Sequence, residues 1–201
     1  DKGAKAFTIK SDFGKEYIVK GTYHLSNLLQ ELVIAKNNGQ TIAKIPLSHI
    51  EELPADRVSR MIRDYYWKGL TRTMDEVGIE RLISDTKNDI LTAKRLPVYI
   101  PFKDETAYKY YKKLEANSPI EAIKLPENIT ANFVKSINSK PGILSLKLTE
   151  ENDKIIGIPF VVPGGRFNEM YGWDSYFQSI GLIIDGKVDL AKAAADHFQY
   201  E

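Results

Sequence analysis

Two apolar stripes at helical spacing, separated by an Asp185-Gly186 break, constrain the end of this chain more than any other feature. Trp173, Tyr176, Phe177, Ile180 and Ile184 make the first stripe, and Val188, Ala191, Ala194, Ala195 and Phe198 make the second. The spacing predicts two helices. With about three residues between them they have to run antiparallel, as a helical hairpin. The second stripe is still helical at Glu201 with no capping residue after it, and the hairpin is expected to want neighbouring helices.

Upstream, Phe7-Thr8-Ile9 and Glu16-Tyr17-Ile18-Val19 read as short strands joined by polar turns. Leu25, Leu28, Leu29, Leu32 and Val33 then predict a helix with an apolar inner stripe, ended by Asn37-Asn38-Gly39. Another helix follows Pro54, with Val58, Met61, Ile62, Tyr65, Tyr66 and Leu70 expected inside. Asp75 caps a third, reaching about Thr86. Arg95 to Phe102 reads as extended and, because of Pro97 and Pro101, as an edge or irregular strand. Asp104-Glu105 opens a helix carrying Tyr108, Tyr111 and Leu114. From 118 to 160 the pattern is loose: four prolines, a weak helix near Thr130 to Asn138, and short apolar runs such as Ile143-Leu144.

Composition narrows the function classes. A chain of 201 residues can bury a real core. Its 28 Lys and Arg nearly cancel its 27 Asp and Glu, which argues against a dedicated nucleic-acid binder, whose affinity rests on excess cation. No apolar run reaches the roughly 20 residues of a bilayer crossing. Without cysteine there are neither disulfides nor thiolate metal sites, which fits the cytoplasm.

Chemistry concentrates between the loose region and the hairpin, in Pro163-Gly164-Gly165-Arg166-Phe167-Asn168-Glu169-Met170-Tyr171-Gly172-Trp173-Asp174-Ser175-Tyr176. The stretch is a loop feeding a helix N-terminus. Its glycines can take positive φ or let a ligand come close. Arg166 presents a planar fork of donors, Trp173 a flat apolar face, and Asp174 two acceptors. That combination suits a sugar, with its C–H face on the ring and its hydroxyls gripped by Arg and Asp. The same residues also suit a plain turn, a solvated arginine and a core tryptophan.

This stretch resembles the first signature of the trehalases, glycoside hydrolases that split α,α-trehalose into two glucoses. Lys20 to Leu32, Asp85-Thr86-Lys87-Asn88 and Pro97-Val98-Tyr99-Ile100-Pro101 are similar to the fungal neutral trehalases in particular, as is Gly172 within the signature. The resemblance implies that Arg166, Trp173 and Asp174 line a sugar subsite and that Phe167 and Tyr171 form its wall. It implies that Glu169 braces the loop and takes no part in catalysis, and it leaves His24, His49 and His197 without a role. The implied fold is mainly α with minor β: an N-terminal mixed region followed by the first helical hairpin of an (α/α)6 toroid. The implied division is a calcium-loop-like segment at 1–22, a mostly helical region at 23–160, and the start of the toroid at 161–201.

The resemblance also says what to expect elsewhere. An inverting glycosidase needs an acid and a base carboxyl about 6.5–9.5 Å apart. In the family both lie downstream of the signature, so no catalytic residue is assigned here, and the second signature, Gln-Trp-Asp-x-Pro, is absent. The chain therefore reads as an N-terminal fragment, expected to be inactive and prone to associate by itself. The family's calcium loop would map onto Asp1, Gly3, Lys5, Phe7 and Asp12, where only two carboxylates remain and Lys5 sits at a ligand position. No metal and no cofactor are expected. The implied partners are trehalose and a 14-3-3 regulator docking on residues 1–30, with neither nucleic acid nor membrane. The alternative reading is a non-catalytic regulatory or interaction module of a trehalase-like protein.

Overall fold

The computed structural model describes residues 6–85 and 95–200. The chain divides into two compact units, residues 1–64 and 65–201. Close to half of it is helical, with short strands between, as the sequence implies.

In the first unit, β1 (Ala6–Lys10) and β2 (Glu16–Lys20) form an antiparallel hairpin, and α1 (Gly21–Asn37) follows directly. Two short helices, α2 (Leu47–Ile50) and α3 (Pro54–Met61), come next. Here the expected inner face of α1 is wrong. Asn27, Glu31 and Ala35 are buried, while Leu29, Leu32 and Val33 are exposed. The reason lies in what packs against α1. Asn27 donates to the Ile50 carbonyl at 2.9 Å and accepts from Arg57. Glu31 accepts from Arg60 at 2.7 Å and lies 3.1 Å from His49 Nδ1, and Arg60 also grips Glu52 with a two-pronged contact. A matched polar network outranks the hydrophobic stripe, because each buried polar group has its partner.

After α3 the helical run continues as a π-helical segment (Ile62–Tyr66) and then α4 (Trp67–Leu70). Met61 and Trp67 are buried while Val58, Tyr65 and Tyr66 face outward, so the expected stripe does not form one inner face. Within the π-helical segment the wider turn changes the phase of the side chains that follow it.

The second unit is built on a parallel sheet. After β3 (Thr71–Arg72) and α5 (Glu76–Ser84), strand β4 (Leu96–Ile100) lies between β5 (Ile120–Lys124) and the two-residue β6 (Ile143–Leu144). Two helices, α6 (Glu105–Leu114) and α7 (Ala131–Ile137), make the crossovers that parallel strands require. Thus β4 is the central strand, correcting the edge expected from its prolines. Leu96 donates to the Pro119 carbonyl on the β5 side, so Pro97, one residue on, turns its missing N–H toward β6, whose pairing begins only at Val98. Gly142 enables that approach: a Cβ there would lie 2.4 Å from the Pro97 carbonyl oxygen.

The core gathers around this sheet, with Met74, Ile79, Val98, Ile100, Tyr111, Ile120 and Phe160 all but inaccessible. Buried Tyr111 donates to the Met74 carbonyl at 2.6 Å. The cap expected at Asp75 and the helix start expected at Asp104 are present, and Thr130 proves to cap the weak helix. Asp75 accepts from Gly78 N, Asp104 from Ala107 N, and Thr130 from Phe133 N. An antiparallel hairpin of β7 (Leu148–Glu151) and β8 (Lys154–Gly157) leads to β9 (Phe160–Val161), which pairs with β3. The chain ends in α8 (Gly172–Ile184) and α9 (Val188–Tyr200), the expected hairpin, with Gly186 at φ +71 terminating α8. Buried His197 ties α9 to the sheet side, accepting from Lys147 N at 3.2 Å with its other ring nitrogen 3.1 Å from the Ile158 carbonyl.

Candidate functional site

The signature loop is anchored at both ends. At its start the β3–β9 pairing is extended by Val162, whose N–H donates to the Leu70 carbonyl at 3.0 Å. At its finish Tyr171 occupies the N-cap position of α8, and its carbonyl accepts from Ser175 N at 2.8 Å. Between them, Phe167 N donates to Gly164 O at 2.9 Å and closes a turn. Neither Gly164 nor Gly165 has positive φ. Of the two uses for these glycines, close approach therefore remains: a Cβ at Gly165 would meet nothing within 4 Å, and one at Gly164 only the Phe167 ring.

Arg166, Phe167 and Tyr171 form a stack. The Arg166 guanidinium lies over the Phe167 ring at 4.8 Å, and that ring meets Tyr171 edge-on at 5.5 Å. Stacking orients the guanidinium, which is itself exposed. Trp173 is 79% exposed and packs edge-on against Phe177 at 5.6 Å. Asp174 stands exposed in the first turn of α8, where the helix dipole favours a carboxylate.

Tyr171 titrates under the influence of its neighbours. Burial pushes its hydroxyl above the usual phenol range, the Glu169 carboxylate adds to this by charge and by hydrogen bonding, Asp174 adds further, and Arg166 opposes them. Glu169 also accepts from Asn168 N at 3.2 Å, which is a bracing contact inside the loop. Buried Asn168 is a loop anchor that the sequence pattern did not single out, and its one signal was a small amide between Phe167 and Met170.

Beside the loop, the apolar stripe of α8 faces outward: Trp173, Tyr176, Phe177, Ile180 and Ile184 are all exposed. A groove of about 650 Å³ runs between α8 and α9, lined by Gly172, Tyr176, Ile183, Val188 and Phe198 among others.

Two of the five calcium-loop positions are described. Phe7 pairs with Val19 in the β1–β2 ladder, and Asp12 sits in the turn; Asp1, Gly3 and Lys5 lie outside the described residues. Among the described residues no cluster of three His, Asp or Glu could hold a metal, and no helix is long and apolar enough to cross a membrane.

A family model described as trehalase matches residues 37–201. The chain is 41% identical, across its whole length, to a probable trehalase of Saccharomyces cerevisiae, and 38% identical to the cytosolic neutral trehalase of Kluyveromyces lactis. It spans 27% and 28% of those relatives' own lengths. The solved structure of neutral trehalase Nth1 from Saccharomyces cerevisiae superposes on 73% of the chain, and on 28% of its own, with a TM-score of 0.64 at 39% identity. With the signature at 163–176 inside the matched region, the chain belongs to the trehalase family.

Proposed function

We propose that the whole protein hydrolyses α,α-trehalose to two glucose molecules with inversion, and that this chain supplies part of one glucose subsite. The observation that carries the proposal is the Arg166–Phe167–Tyr171 stack beside an exposed Trp173, with Asp174 exposed in the first turn of α8. In this reading Trp173 stacks on the sugar's C–H face, Arg166 and Asp174 take its hydroxyls, and Phe167 and Tyr171 form the wall that holds Arg166 in place. These residues bind and orient. The acid and base carboxyls that an inverting reaction needs come from elsewhere in the whole protein.

The outward apolar stripe of α8 and the groove beside it support reading α8 and α9 as the first hairpin of an (α/α)6 toroid, with residues 161–201 as its beginning, 1–22 as a degenerate calcium loop and 23–160 as a helical lead-in. Relatives named cytosolic support a cytoplasmic location. Regulation by a 14-3-3 protein through residues 1–30 rests on the resemblance alone, and a pull-down on the phosphorylated whole protein tests it.

The test of the main proposal is glucose release from α,α-trehalose by the protein encoded by the complete reading frame, with polarimetry of the anomers. Equal amounts of α- and β-glucose are expected from an inverting enzyme. Absence of turnover, or release of α-glucose alone, contradicts it.

A further inference from the structure

A second cavity, of about 480 Å³, opens at the other end of α8, around Trp67 and Leu190. Four cations line it, Lys68, Arg72, Arg81 and Lys187, and no carboxylate does. In a chain with a net charge of +1 this is a local concentration of positive charge. Among the described residues none of the four makes an ion pair.

Arg72 is held in place by its Nη1, which donates to Gly69 O at 2.7 Å and Thr71 O at 3.0 Å, leaving Nε and Nη2 without a partner among the described residues. Burial pushes this guanidinium below the usual arginine range, the neighbouring Arg81 charge pushes it further, and Asp85 partly offsets both. A partly buried guanidinium at Arg72 with a second cation, Arg81, nearby costs free energy, and a bound anion would recover it.

We propose that this cavity is an effector site for a small organic phosphate monoester. The phosphate would sit between Arg72, Arg81 and the two lysines, and the organic body would rest on Trp67 and Leu190. A phosphate monoester fits better than a carboxylate, because it carries close to two negative charges at neutral pH and matches the guanidinium fork. The volume lies within the range of small-molecule sites. The cavity is remote from the signature loop: α8 runs between them, and its 13 residues span about 18–20 Å. The proposal does not depend on the trehalase reading.

Calorimetry on the protein encoded by the complete reading frame tests it, with phenyl phosphate as the probe and inorganic phosphate and phenol as its two halves. Saturable binding of phenyl phosphate is expected, with inorganic phosphate weaker and phenol not binding. Arg81→Gln, a change at an exposed side chain, should weaken binding by about tenfold, as should Lys187→Gln and Arg72→Gln. Circular dichroism checks that each variant keeps its fold, and Arg81→Gln remains decisive if Arg72→Gln does not. Absence of saturable binding would overturn the proposal, as would affinity unchanged in Arg81→Gln and Lys187→Gln. Equal affinity for inorganic phosphate would overturn the organic-ligand assignment. Loss of binding confined to Arg166→Gln would move the anion to the signature loop and overturn the site.

Discussion

The indole N–H of Trp67 donates to a carboxylate oxygen of Asp185 at 2.6 Å, joining residues 118 positions apart. It pins the far end of α8 to the helix that leads into β3, and so sets the frame from which the signature loop is hung. Gly181 makes room for the ring, since a Cβ there would lie 3.1 Å from it. Trp67→Phe keeps an aromatic ring but removes the donor. It should lower stability by about 1–3 kcal/mol, the scale of a hydrogen bond to a charged group. Urea unfolding reads the difference, and a variant as stable as its parent would show that the contact does not matter.

Asp75 holds three donors at once: Gly78 N at 3.1 Å, the Thr73 hydroxyl at 2.8 Å, and Gly157 N at 2.9 Å across 82 positions. Asp75→Ala should cost about 2–4 kcal/mol, more than a helix cap alone. Gly78→Ala should cost at least about 3 kcal/mol, because its Cβ would fall 1.8 Å from the Thr73 carbonyl oxygen. Denaturant midpoints for the two variants test both figures.

His197 gives the second unit a pH dependence. Burial pulls its pKa below the usual histidine value, outweighing the carbonyls of Ile158 and Pro159, which favour the proton. The folded state therefore prefers neutral imidazole. Its contribution is complete above about pH 6.5, the unfolded value, and is lost as pH falls toward the depressed folded value. A melting series from pH 7.5 to 5 should show falling stability, and His197→Asn should flatten that part of the curve while lowering the whole of it.

Glu31 in the first unit also loses its contribution on acidification, but at lower pH and for a different reason. Burial by itself would raise its pKa, but hydrogen bonds and charge from Arg60 and His49 together hold it below the usual carboxylate range. Its contribution is present above about pH 4.5 and disappears as pH falls through the lowered value. Glu31→Gln leaves Arg60 with Glu52 but weakens the network, and a loss of about 1–3 kcal/mol is expected in thermal melts at neutral pH.

Local signals were legible in the sequence where one residue decides the outcome. Asp75, Asp104 and Thr130 stop or start helices by their own side chains, and Gly186 ends α8, so those boundaries could be read directly. Facing was less legible. Leu29, Leu32 and Val33 looked like a core stripe, yet the inward face of α1 is chosen by partners at Arg57 and Arg60, 30 and 29 positions away from Asn27 and Glu31. The central position of β4 was hidden for a similar reason, since its neighbours β5 and β6 come from the loosely patterned region. At the candidate site the chemistry-bearing residues stood in one contiguous stretch. The cationic cavity did not, because its four charges come from residues between 68 and 187.

In the proposed function the signature loop grips a glucose through Arg166. The most direct measurement is kcat/KM for trehalose in the whole protein and in its Arg166→Ala variant, with a matched folding check. A loss of about 30- to 1000-fold is expected, corresponding to about 2–4 kcal/mol for a charged hydrogen bond made in a dry site. A variant that folds and turns over trehalose at near-parental kcat/KM would contradict the claim.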